Sequence, residues 1–86
     1  MVYGWEFVSS QLAEIAADLP PEGAVALMEF MTAATLNPWG IGHPPGGRWP
    51  RNMPTVPFGS GSQGMVTYLI QDERQMLYVT QVTWVA

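Results

Sequence analysis

Gly64-Met65-Val66-Thr67-Tyr68-Leu69-Ile70, the polar run Gln71-Asp72-Glu73-Arg74-Gln75, and then Met76 to Val85 form the stretch that decides the fold. Alternating apolar residues, rich in β-branched and aromatic types, predict strands over Met65–Ile70 and Met76–Val85. The five polar residues between them predict a turn, so the pair reads as a hairpin. On the second strand Val82 and Trp84 share one face, and Thr83 and Val85 share the other. Upstream, Gly59–Gly64 reads as a linker, and Asn52–Phe58 as an edge strand, where Pro54 and Pro57 are tolerable because an edge has amides with no ladder partner. From Trp39 to that strand, prolines at 44, 45 and 50 and glycines at 40, 42, 46 and 47 exclude a long regular element.

Before this loop the period changes. Pro20-Pro21 starts a helix running from about Pro21 to Leu36, since a first helical turn does not use the amide that proline lacks. Asn37-Pro38 ends it, because the residue before proline is pushed out of helical angles. This helix is apolar nearly all round, interrupted by Glu22, Glu29, Thr32 and Thr35, which predicts an element covered on more than one side, with Met28 and Met31 filling the core. A shorter helix precedes it, capped by Ser9 or Ser10, with Leu12, Ile15, Ala16 and Leu19 on a core-facing stripe. Val2–Val8 alternates, with Tyr3, Trp5 and Phe7 on one face, and reads as a strand. The expected order is β-α-α-β-β-β, an α+β fold with two N-terminal helices packed on a mostly antiparallel four-stranded sheet. One domain over 1–86 is expected at this length.

Composition narrows the partners. The chain is 48% hydrophobic but only 12% charged, about half the usual charged share of roughly 25%. A surface so poor in ionic groups favours a protein partner or a homodimer. Arg48, Arg51 and Arg74 are the only basic residues besides His43, against seven acidic ones, and the formal net charge is −4. Tight grip on nucleic acid draws on many phosphate-neutralising cations, so weak or no direct nucleic-acid binding is expected of the isolated chain. There is no cysteine, hence no disulfide and no thiolate metal site. No apolar run reaches the ~18–20 residues of a membrane span and no signal peptide is evident, so the expected location is the cytoplasm, with no membrane association.

Several local phrases, taken with that element order, resemble the RelE/ParE toxin superfamily of bacterial toxin–antitoxin pairs. They are Trp5-Glu6-Phe7 leading to Leu12, the break Leu19-Pro20-Pro21-Glu22, the close Asn37-Pro38-Trp39, Gly64 to Ile70, and the valine-rich last strand. The likeness spans nearly the whole chain. It implies a protein partner, either a cognate antitoxin or a cellular target such as a topoisomerase. In the family's ribosome-dependent ribonucleases, arginines and lysines stabilise charge at the phosphorus and a histidine or tyrosine handles the 2′-hydroxyl proton. Here Met65 stands where the third strand usually has its arginine, Thr83 and Trp84 stand where the last strand often ends in His-Arg, and the chain stops at Ala86. Arg51, or alternatively Arg48, matches the basic position entering the second strand, and Tyr68 matches a position that usually packs. The resemblance therefore implies a toxin fold acting by protein–protein contact with the ribonuclease site largely absent. The alternatives are an atypical endoribonuclease built from Arg51, Arg48 and His43, or a non-toxic degenerate copy.

Other constellations read blandly. Gly59-Ser60-Gly61-Ser62-Gln63-Gly64 fits a dinucleotide fingerprint, but a strand follows where a helix is needed; a kinase loop needs a lysine on the next strand, and the chain has none. His43 has no titratable neighbour at a useful spacing, and reads as a loop residue unless it serves as a base. Glu14 and Asp18 share a helix face but lack further ligands for a metal. No cofactor or metal is expected. Trp39 and Trp49 bracket the proline-rich loop, where packing explains them as well as stacking does.

Overall fold

The computed structural model describes residues 2–40 and 52–85. The chain order is β1 (Gly4–Phe7), α1 (Ser10–Ala17), α2 (Pro21–Leu36), β2 (Thr55–Phe58), β3 (Gly64–Gln71) and β4 (Met76–Trp84). The strands form one four-stranded sheet in the order β1-β4-β3-β2. β3 pairs antiparallel with both β2 and β4, while β1 pairs parallel with β4, Gly4 opposite Met76 and Phe7 opposite Val79. This is the expected α+β order, with the parallel pair as the exception within a mostly antiparallel sheet.

Local chemistry sets the helix ends. The Ser9 Oγ accepts from the Leu12 amide at 3.2 Å, satisfying one donor that a first helical turn leaves free. Pro21 opens α2 with Glu22 in its first turn, where a carboxylate meets the positive end of the helix dipole. At its far end α2 is tied to β1, since the Tyr3 amide donates to the Thr35 carbonyl at 3.0 Å.

The core lies between the helices and one sheet face. Leu12, Ala16, Leu27, Met31 and Ala34 come from the helices; Val56, Phe58, Val66, Tyr68, Ile70, Leu77, Val79 and Val82 come from the strands. Along β4 the buried residues are 77 and 79, then 82, an alternation that skips a beat. The ladder explains this: Tyr68 pairs with Val79 and Thr67 with Gln81, leaving Thr80 as an inserted residue. Such a bulge absorbs one residue and keeps both apolar pairs on the core side.

Five expectations are corrected. α2 is not covered on several sides among the described residues: Val25, Met28 and Leu36 are 57%, 54% and 66% exposed. Its buried stripe is Gly23, Leu27, Met31, Ala34 and Thr35, so Met31 fills the core and Met28 does not. Ile15 is exposed too, leaving Leu12 and Ala16 as the buried part of α1. Gly64 belongs to β3 and not to the linker, since it pairs with Phe58 and Trp84, and a Cβ there would collide with the Phe58 ring. The edge strand is only Thr55–Phe58; Asn52 and Pro54 still offer carbonyls to the amides of Ile70 and Tyr68.

Candidate functional site

The sheet face away from the helices carries Met65 and Thr83, two of the positions singled out in the sequence. Strand alternation brings Thr55 and Pro57 of β2, Met65, Thr67, Leu69 and Gln71 of β3, Tyr78, Gln81 and Thr83 of β4, and Glu6 of β1 to this face. Register then arranges them in rows. Pro57, Met65 and Thr83 are cross-strand partners, as are Thr55, Thr67 and Gln81, and further along Leu69, Tyr78 and Glu6. Directly opposed side chains on one face interact, so Met65 and Thr83 would act together if either carried chemistry. Met65 is 40% exposed and Thr83 is exposed. In the second row the Thr55 and Thr67 hydroxyls share a hydrogen bond of 2.8 Å.

Electrostatically this face is nearly blank. Glu6 is its one charged side chain among the described residues, and Arg74, the one described cation, sits in the turn between β3 and β4. Neutral hydroxyls, amides and thioethers can pack against a protein surface and exchange hydrogen bonds with it. They bring no formal positive charge to set against that of a transferring phosphoryl group. Among the described residues no three His, Cys, Asp or Glu side chains gather to hold a metal ion, and no helix is long and apolar enough to cross a membrane.

Arg51, Arg48 and His43 lie outside the described residues, and so does Trp49. The described residues on either side of them reach the same end of the sheet. Trp39 donates its indole N–H to Asp72 at 2.9 Å, while the Asn52 carbonyl takes the Ile70 amide at 2.7 Å.

Tyr68 is inward-facing. Its ring is fully buried, its hydroxyl donates to the Pro38 carbonyl at 3.1 Å, and burial pushes its pKa up to about 12. A phenol held in that way packs the core and is no ready base. A cluster that the sequence does not announce lies at the turn: Asp72 Oδ1 accepts from the Tyr3 hydroxyl at 2.6 Å as well as from Trp39. The two donors hold the carboxyl below its ordinary range, Tyr3 contributing most. The Tyr3 phenol is raised in turn, chiefly by that hydrogen bond. These partners stand 69 and 33 residues apart in the chain, so no local spacing could have exposed them.

No family model matches the sequence, and no curated protein matches it either. Among solved structures, the free state of an E. coli RelE toxin carrying two arginine-to-alanine substitutions is similar over 98% of this chain and 84% of that one. The TM-score is 0.75 at 15% sequence identity. The chain therefore has the fold of the RelE toxin, and at that identity the likeness is one of fold alone.

Proposed function

We propose that this RelE-fold chain is the toxin-type member of a toxin–antitoxin pair, that it acts in the cytoplasm by binding another protein, and that it does not cleave RNA. The observation that carries the reading is the row Pro57–Met65–Thr83, neutral from end to end on the exposed sheet face. The family resemblance puts an arginine at the Met65 position and a His-Arg pair at Thr83 and Trp84, of which Trp84 packs on the core side. Losing one well-placed donor to the charge developing in a transition state costs about a hundred- to a thousandfold in rate. Met65 and Thr83 supply neither a positive charge nor an imidazole, and all the arginines of the chain number only three. What the face retains is a patch of threonine, glutamine, methionine and leucine, which suits contact with a neutral or apolar protein surface. The partner is a cognate antitoxin or a cellular protein target.

The test is to add the purified chain to ribosomes translating a defined messenger and to map RNA ends by primer extension. No new ends are expected at any codon. Ends that appear with the native chain and vanish with Arg51→Ala or His43→Ala would overturn the proposal and establish the atypical ribonuclease instead.

A further inference from the structure

We infer that the outer face of α2 is a docking surface for a basic amphipathic helix of another protein, an inference that rests on the protein-binding reading above. Val25, Met28 and Leu36 are all more than half exposed. Their spacing, with exposed Thr32 between the last two, keeps them on one stripe of the helix. Single exposed aliphatic side chains need no explanation, whereas an aligned set marks a surface that something covers.

Charge decides what covers it. Glu22 and Glu29 are exposed, seven residues apart, and flank Val25 and Ala26. Beside them a shallow recess of about 430 Å³ is lined by Pro21, Glu22, Val25, Ala26, Glu29 and Ser60. No residue of α2 is basic. A second copy of this chain laid on the stripe would set these carboxylates against their own kind, and like charges across an interface suppress association. A lysine or arginine fits instead: its methylene stem covers Val25 and Ala26 while its head group reaches a carboxylate. The two glutamates are separated by about 10.5 Å along the axis, seven residues at a rise of about 1.5 Å. A helix with basic residues seven apart and leucine-type residues between them matches both features at once. The net charge of −4 steers such a segment inward from a distance.

The experiment uses the ¹⁵N-labelled full chain, titrated with a helical peptide that carries leucine on one face and lysine on the other, and separately with the leucine–glutamate version of the same peptide. With the lysine peptide, amide shifts are expected at Glu22, Val25, Glu29 and Leu36, and with the glutamate peptide none. Val25→Ser with Met28→Ser should weaken the lysine peptide at least about tenfold, which corresponds to about 1.4 kcal/mol. Both positions are exposed, so the variant spectrum should stay folded. Glu22→Gln with Glu29→Gln should flatten the dependence on salt. The inference is overturned by shifts confined to the open sheet face, by equal shifts with both peptides, by no shifts at roughly millimolar lysine peptide, or by concentration-dependent shifts along α2 in the chain alone, which would assign the face to a second copy. Messenger cleavage on ribosomes defeats the protein-binding reading without touching α2, so the two failures are separable.

Discussion

Gly64 is placed by what lies above it. A Cβ there would fall on the Phe58 ring, and Phe58 is its cross-strand partner and packs against Trp84 with ring centroids 5.6 Å apart. Gly64→Ala should therefore cost about 1–3 kcal/mol, the usual penalty for overpacking a filled core, read from the midpoint of urea unfolding. Tyr68 gives a second residue-scale expectation. Tyr68→Phe removes the bond to the Pro38 carbonyl and should cost about 0.5–1.5 kcal/mol while leaving the fold intact. Because burial raises the phenol to about 12, its contribution is complete below its ordinary value of 10.0 and is lost as pH climbs toward the raised one. Absorbance near the phenolate band should show this tyrosine ionising late, and a normal titration would contradict its placement. That Tyr68 packs can be read from its place in an alternating strand. The Met65–Thr83 adjacency cannot, because only the register of β3 against β4 brings them together.

At the scale of the element, β4 shows how one residue keeps a strand in phase. Thr80 is the extra residue of a bulge, and its hydroxyl donates to the Thr67 carbonyl at 3.3 Å. Deleting Thr80 should leave Leu77, Val79, Val82 and Trp84 on the core side, since the pairs on either side already skip it. Deleting Thr83 should turn Trp84 out to solvent, and with it the indole that packs against Gly23 and Gly59. Tryptophan emission and amide spectra distinguish the two: near-native for the first, red-shifted and broadened for the second. The bulge is written in the sequence as an interval of three between apolar pairs, 77 and 79 followed by 82 and 84. The open side of α2 is not written there. An all-round apolar pattern reports a wish for burial, but whether anything covers the outer stripe is decided by elements elsewhere in the chain or by another molecule.

Across the whole molecule, charge is scarce and locally arranged. With three arginines at about −0.9 each, the slope of log affinity against log salt for duplex nucleic acid should be no steeper than about −2.7, measurable by fluorescence anisotropy. The Tyr3–Asp72–Trp39 cluster joins the chain's start, the end of the helical layer and the hairpin turn, and it should respond at both extremes of pH. Asp72 is lowered from 3.8, so its contribution is present above that value and lost as pH falls through the lowered one. Tyr3 is raised from 10.0, so its contribution is present below that value and lost as pH rises past the raised one. The Trp39 indole N–H resonance should move in strong acid in the native chain and stay still there in Asp72→Asn, which keeps an acceptor oxygen but cannot protonate. The element order and the neutral open face were within reach of sequence reasoning, because periodicity and composition are local. This cluster was not, since its members meet only after the sheet has closed. The parallel pairing of Gly4–Phe7 with Met76–Val79 also has a consequence for biosynthesis. β1 waits for β4, so a nascent chain cannot complete this sheet while Met76–Trp84 is still inside the exit tunnel. Products truncated before Met76 keep an unsatisfied apolar strand that chaperones and proteases can recognise.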